Sequence, residues 1–148
     1  MSFLLNNEMM REIIMDHYQN PRNKREADDS YKTVYMNSVS CVDKIYIQLK
    51  EENGKIVDVC WHGNGCAIST ASTSIMTELL KDKTVEEANK IMDAYNNMIY
   101  GRPYDESLLD EAIVFVNTSR QPSRINCATI GWRGVNRILN GDDKDGGK

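Results

Sequence analysis

Apolar residues recur at helical spacing near the start of the chain, with Met10, Ile13, Ile14 and Tyr18 on one side, and predict a helix from about Asn7 to Gln19. Pro21 ends it, because the residue before a proline is driven out of the helical region. RNKREADDS, residues 22–30, is charged and rich in turn formers and reads as a loop. From there the period shortens to two. Residues 31–36 suit an extended edge strand. KIYIQLK (44–50) places Ile45, Ile47 and Leu49 on one face. Asn53-Gly54 has the chemistry of a tight hairpin turn. KIVDVCW (55–61) then returns with Val57, Val59 and Trp61 on one face and Cys60 on the other. A β-hairpin is expected, and a three-stranded meander if residues 31–36 join it.

Beyond Gly65 the period lengthens again, with Ile68, Ser72, Ile75, Met76, Leu79 and Leu80 marking a second helix. Thr84 followed by Glu87 is a capping-box pair that opens another helix, running to about Tyr100. Gly101 and Pro103 precede a further helix over about 105–116. NTSRQPSRIN (117–126) reads as a polar loop, and a last helix runs from Cys127 or Ala128 to Leu139, stopped by Gly141. Met9, Met10, Met76, Met92 and Met98 mostly fall at core positions. There is no internal repeat, and grouped strands followed by grouped helices predict an α+β fold with a small antiparallel sheet. Residues 1–140 are expected to form one domain, with 141–148 as a disordered tail.

Composition narrows the function classes. Apolar residues make up 41% and charged residues 27% of the 148, which fits one folded domain with its own core. A net charge of −4 argues against the basic face of a nucleic-acid binder. No apolar run approaches the ~20 residues that span a bilayer. The opening MSFLLNNEMMREII lacks the basic region and cleavage site of a secretory signal, so no membrane contact and a cytoplasmic location are expected. In a reducing compartment the four cysteines are buried, metal-bound or reactive rather than paired in disulfides.

Three of those cysteines share a setting. Cys41 ends the loop before the first hairpin strand, with Asp43 two residues later. Cys66 ends a Gly-Asn-Gly loop and opens a helix, and Cys127 ends the second polar loop and opens another. Loop-to-element junctions are where side chains converge, and a helix N-terminus favours the thiolate that binds metal or attacks sulfur. There is no tight C-x-x-C pair, so spacing leaves two readings open: a three-thiol cluster around a metal, or ordinary partly buried cysteines. Cys60 reads as a passive, partly buried strand cysteine. His62 reads as an exposed strand-end residue, and His17 as a surface or capping contact. The Gly-Asn-Gly turn lacks the Lys-Ser/Thr of a phosphate-binding loop.

Four segments carry a resemblance. DHYQNPRN (16–23), SCVDKI (40–45), GNGCAIS (63–69) and RINCATIGW (124–132) resemble, in order and spacing, the iron–sulfur cluster assembly proteins of the IscU/NifU N-terminal fold, over about Met9 to Leu139. The longer helical segment between the second and third cysteines, and Asn126 where IscU proteins carry histidine, make the chain similar to the SufU branch. The resemblance implies helices packed on one face of the sheet, and a zinc ion held by Cys41, Asp43, Cys66 and Cys127. It also implies that Cys41 accepts persulfide sulfur from a SufS-like cysteine desulfurase, with Arg124 near the site, and that the sulfur goes on to an iron–sulfur assembly scaffold. Two alternatives stay open: a scaffold that itself carries a transient [2Fe–2S] cluster, and a binding module with a structural zinc. No reaction on a small molecule is visible beyond this sulfur relay. Val39 and Val42 depart from the family, whose members carry proline and glycine there.

Overall fold

The Asn53-Gly54 turn holds both residues at positive φ, 55° and 77°, the geometry that joins strongly twisted antiparallel strands. In the computed structural model, which describes residues 6–38 and 43–141, this turn links β2 (Lys44–Glu52) to β3 (Lys55–Asn64). β1 (Lys32–Asn37) pairs antiparallel with β2, giving the expected meander in the order β1-β2-β3. Around the sheet are α1 (Asn7–Gln19), α2 (Ala67–Leu80), α3 (Val85–Ile99) and α4 (Pro122–Asn140). The fold is α+β. Cys41, Val39 and Val42 lie outside the described residues, as do residues 142–148 of the expected tail. No helix among the described residues is long and apolar enough to cross a membrane.

Ile45, Ile47 and Leu49 are fully buried on one face of β2, opposite Val59 and Trp61. The alternation in β3 does not run as the sequence suggested. Lys50 faces Asp58, yet Glu51 faces Ile56, so Val57 is an extra residue in a β-bulge. The bulge resets the alternation, and Ile56, rather than Val57, is fully buried.

The stretch read as a free loop is a strap along β3. The Trp61 N–H donates to the Asn23 carbonyl at 3.0 Å, and the Arg25 N–H to the Trp61 carbonyl at 2.8 Å. Further on, the Ala27 N–H donates to Gln48 Oε1 at 2.7 Å. Cys60, opposite Gln48 in the sheet, is wholly buried rather than partly so, and burial pushes its thiol pKa up. Asp58 anchors the strap by accepting from Arg25 at 2.7 Å and from the Tyr31 hydroxyl at 2.6 Å. Burial raises the pKa of the Asp58 carboxyl, but these two hydrogen bonds and the Arg25 charge outweigh it and hold it below the usual carboxylate value. A depressed acid stabilises the fold above its unfolded pKa of about 3.9 and loses that contribution as pH falls through the folded value. Asp58→Asn is therefore expected to cost about 1–2 kcal/mol at pH 7. In urea unfolding at pH 7 and pH 3, the gap to the native chain should shrink at the lower pH.

α1 forms where the pattern placed it, with Asn6 capping the Met9 N–H at 2.8 Å and Met10, Ile13 and Ile14 turned inward, but its last turn departs from the pattern. Tyr18 is exposed and His17 is buried. The imidazole bridges Ser74 Oγ at 2.7 Å and Glu111 Oε1 at 2.9 Å, tying α1 to α2 and to the segment beyond α3. The Thr84–Glu87 capping box opens α3 as expected.

Between α3 and α4 the chain is 3₁₀-helical over Glu106–Leu108 and Asp110–Arg120, with a kink at Phe115, where a single α-helix over 105–116 was expected. α4 begins at Pro122, inside the stretch read as a polar loop. Proline suits a first helical position, since its fixed φ is pre-organised and its missing N–H has no partner to lose. Cys127 thus lies in the second turn of α4 rather than at its opening.

α4 is drawn tightly onto α2. A Cβ on Gly131 would lie 2.6 Å from Thr73 Oγ1, so a larger residue there would force the helices apart. Ser72 Oγ donates to the Ala128 carbonyl at 2.6 Å and accepts from Trp132 Nε1 at 3.0 Å. Tyr95 of α3 stacks on Trp132, centroids 3.9 Å apart, and its hydroxyl also donates to the Ala128 carbonyl.

Candidate metal centre

The last pair of the β2–β3 ladder, Lys44 with Asn64, sets Asp43 beside Gly65 and Cys66 at one end of the sheet. Glycine is required at two places here. Gly63 has a φ of 118°, and a Cβ on it would strike the Lys44 carbonyl. A Cβ on Gly65 would collide with the Ser69 hydroxyl and lie 3.2 Å from Asp43 Oδ1.

Cys66 caps α2, its sulfur accepting the Ser69 N–H at 3.4 Å. Asp43 is 1% exposed. Its Oδ1 accepts the Cys66 N–H at 3.0 Å and the Ser69 hydroxyl at 2.8 Å. Its Oδ2 is buried with no hydrogen-bond partner among the described residues. Cys127 reaches the same place from α4 and is buried. Ligand atoms of Asp43, Cys66 and Cys127 all lie within 4.8 Å of one another.

A buried carboxylate oxygen with no partner is costly unless something positive meets it. Two sulfurs and a carboxylate oxygen form a donor set that zinc accepts, at about 2.3 Å for sulfur and 2.0–2.2 Å for oxygen. The residues present fit such an ion. The structure therefore brings together three of the four residues expected as ligands, and Cys41, the fourth, lies outside the described residues. Arg124 is exposed in the first turn of α4, three residues ahead of Cys127. His62 stands apart from the cluster. It is half-buried on the other side of the sheet and stacks on Tyr46, centroids 4.7 Å apart. Ser69 was not singled out from the sequence, although its place three residues after a capping Cys66 is the spacing of a cap and its partner.

Residues 9–133 match the NifU-like N terminal domain. The chain belongs to this family. Among NifU-like relatives, it is 38% identical over 139 residues to the zinc-dependent sulfurtransferase SufU of Bacillus subtilis, covering 93% of this chain and 94% of that protein. It is 31% identical to the iron–sulfur cluster assembly scaffold protein IscU of Streptococcus pyogenes, over 90% of this chain and 84% of the relative. A crystal structure from Fervidobacterium islandicum, described as an iron–sulfur cluster assembly scaffold for the SUF system, superposes with a TM-score of 0.83 at 32% identity, covering 87% of this chain and 95% of that one. The NifU-like match spans the whole cluster and Arg124.

Proposed function

We propose that this chain is a zinc-dependent sulfur-transfer protein that takes persulfide sulfur from a cysteine desulfurase and passes it into iron–sulfur cluster assembly. Asp43, Cys66 and Cys127 hold the ion together with Cys41, and Cys41 is also the sulfur acceptor. The observation that carries this reading is the buried Asp43 Oδ2, unpaired among the described residues and grouped with two cysteines. The SufU relative supports the choice of zinc and of sulfur transfer.

When bound, zinc favours the thiolate form of its cysteine ligands. The rest is supplied by the chain. The Cys66 N–H and the Ser69 hydroxyl fix Asp43 through Oδ1, so the carboxylate is oriented in advance. Four anionic ligands around one dication leave an excess of negative charge, which the Arg124 guanidinium, one turn from Cys127, offsets. In the transfer step the Cys41 thiolate attacks the outer sulfur of the partner's persulfide. A new S–S bond forms at Cys41, the partner's S–S bond breaks, and the electron pair leaves on the partner's cysteine as a thiolate. The exchange needs no external oxidant or reductant.

A second reading, a scaffold for a [2Fe–2S] cluster, is favoured by the IscU relatives, and thiolate ligands suit either centre. Metal and acid-labile sulfide content after anaerobic purification separates the two. About one zinc per chain without sulfide is expected for the transfer reading; iron with matching sulfide would replace it with the scaffold. Cys41→Ser is then expected to reduce sulfur uptake from a cysteine desulfurase to background, and full uptake by that variant would sink the assignment of Cys41.

A further inference from the structure

A groove of about 410 Å³ runs between α1, the 3₁₀ segment Asp110–Arg120 and the first turn of α4. Its lining includes the apolar side chains of Met10, Ile14, Ile68 and Phe115, and two arginines, Arg11 of α1 and Arg124 of α4. The groove adjoins the metal centre through the chain itself. Ile68 is two residues beyond Cys66, and Arg124 precedes Cys127 by three.

The charge of this groove runs against that of the protein. The chain carries a net charge of −4, yet no aspartate or glutamate is among the groove-lining residues. Neither arginine side chain takes part in an ion pair or hydrogen bond among the described residues. Two guanidiniums with no direct side-chain partner among the described residues, beside an apolar floor, match a ligand that brings both an apolar side chain and carboxylates. Arginine favours carboxylates through its planar fork of donors. A duplex nucleic acid, which needs a broad basic surface, is poorly matched to a narrow apolar-floored groove on an acidic protein.

We infer that this groove seats an acidic segment of the sulfur donor, with an apolar side chain set against Met10, Ile14 and Phe115 and carboxylates reaching Arg11 and Arg124. The inference rests on the sulfur-transfer reading, since it names where the desulfurase docks. Contact at Ile68 and Arg124 places the partner against the two elements that carry Cys66 and Cys127. Docking and the approach of the persulfide are thereby one event.

The test is the affinity of the zinc-loaded full chain for a purified SufS-type cysteine desulfurase, measured by isothermal titration calorimetry at low and moderate salt. Arg11 is suited to substitution because it lies on the α1 wall, outside the metal centre. Arg11→Glu is expected to weaken binding by about tenfold or more, the scale of a buried interfacial charge contact, with zinc content and melting temperature unchanged. Arg11→Lys, which keeps the charge but not the fork of donors, should restore part of the affinity. Added salt should weaken the native complex more than the Arg11→Glu complex. The same reversal at Lys90, exposed on α3 and away from the groove, should leave the affinity as it was.

Native affinity in Arg11→Glu would overturn the groove assignment while leaving sulfur transfer standing. Equal weakening by Lys90→Glu would overturn it too, because net charge rather than the groove would then be responsible. If Arg11→Glu instead dissociates a homodimer in sedimentation without altering desulfurase binding, the occupant is a second copy and the assignment falls. Absence of any binding by the native zinc-loaded chain would remove both the docking site and the transfer reading beneath it.

Discussion

Asp43→Ala is expected to reduce the zinc content of the purified protein from about one per chain to a small fraction, with affinity lowered by more than ~100-fold. Outer partners of a metal ligand typically cost about 10–100-fold when removed, and a ligand itself should exceed that. Ser69→Ala, which takes away one of the two donors to Asp43 Oδ1, is expected within the smaller range. The two variants thus rank the ligand above its support. The stability signature is equally specific. A bound ion stabilises the folded state in proportion to its affinity, so zinc should raise the melting temperature of the native chain and scarcely move that of Asp43→Ala. After chelation the two chains should melt within a few degrees of each other, since losing the two hydrogen bonds to Oδ1 is partly offset by removing a buried oxygen that had no partner. Competition with a chromophoric chelator and a thermal melt read both effects. Unchanged zinc affinity in the alanine variant would dismiss Asp43 as a ligand.

Trp132→Ala is expected to produce the largest loss of stability, about 3–5 kcal/mol. The indole is buried, stacks on Tyr95 within 7° of parallel and donates to Ser72 at 3.0 Å, so its removal empties the junction of α2, α3 and α4. For a chain of this size the melting temperature should fall by roughly 10 °C or more. Trp132→Phe keeps a ring against Tyr95 but not the N–H donor, and about 1–2 kcal/mol is expected. The effect should carry to the metal centre, because Cys127 is held by the same helix. Saturating zinc should recover part of the lost melting temperature in Trp132→Ala, by binding the folded state alone. Melting within a degree or two of the native chain would show that α4 is anchored elsewhere.

What could be read from the sequence was local. Asn53-Gly54 and the Thr84–Glu87 box are signals whose partners lie within a few residues, and both appear in the structure as expected. Three features escaped that reading for different physical reasons. The Val57 bulge depends on register across two strands, which alternation within one strand does not contain. His17 was assigned outward because it is polar, yet Ser74 and Glu111, distant in sequence, supply its partners. Residues 122–126 read as loop because most of them are polar, although α4 begins at Pro122, keeps the polar ones exposed and turns Ile125 toward the core. At the centre, the grouping of Asp43, Cys66 and Cys127 was legible through family resemblance, since well-separated ligands leave no spacing signature. Ser69 and the Arg11 side of the groove needed coordinates, because each acts on residues brought near by packing.

The strap of residues 22–27 has a consequence for how copies of this chain can meet. By bonding to the N–H and the C=O of Trp61, it occupies the β3 edge at that residue, while Ile56 further along the same edge pairs with Asp82 and Lys83. Among the described residues, no strand lies beside the outer edge of β1. Strand-by-strand growth of the sheet into a continuous ribbon, which needs an open edge at each end, is therefore blocked on one side, and two chains joined through β1 would make a closed pair that can recruit no third.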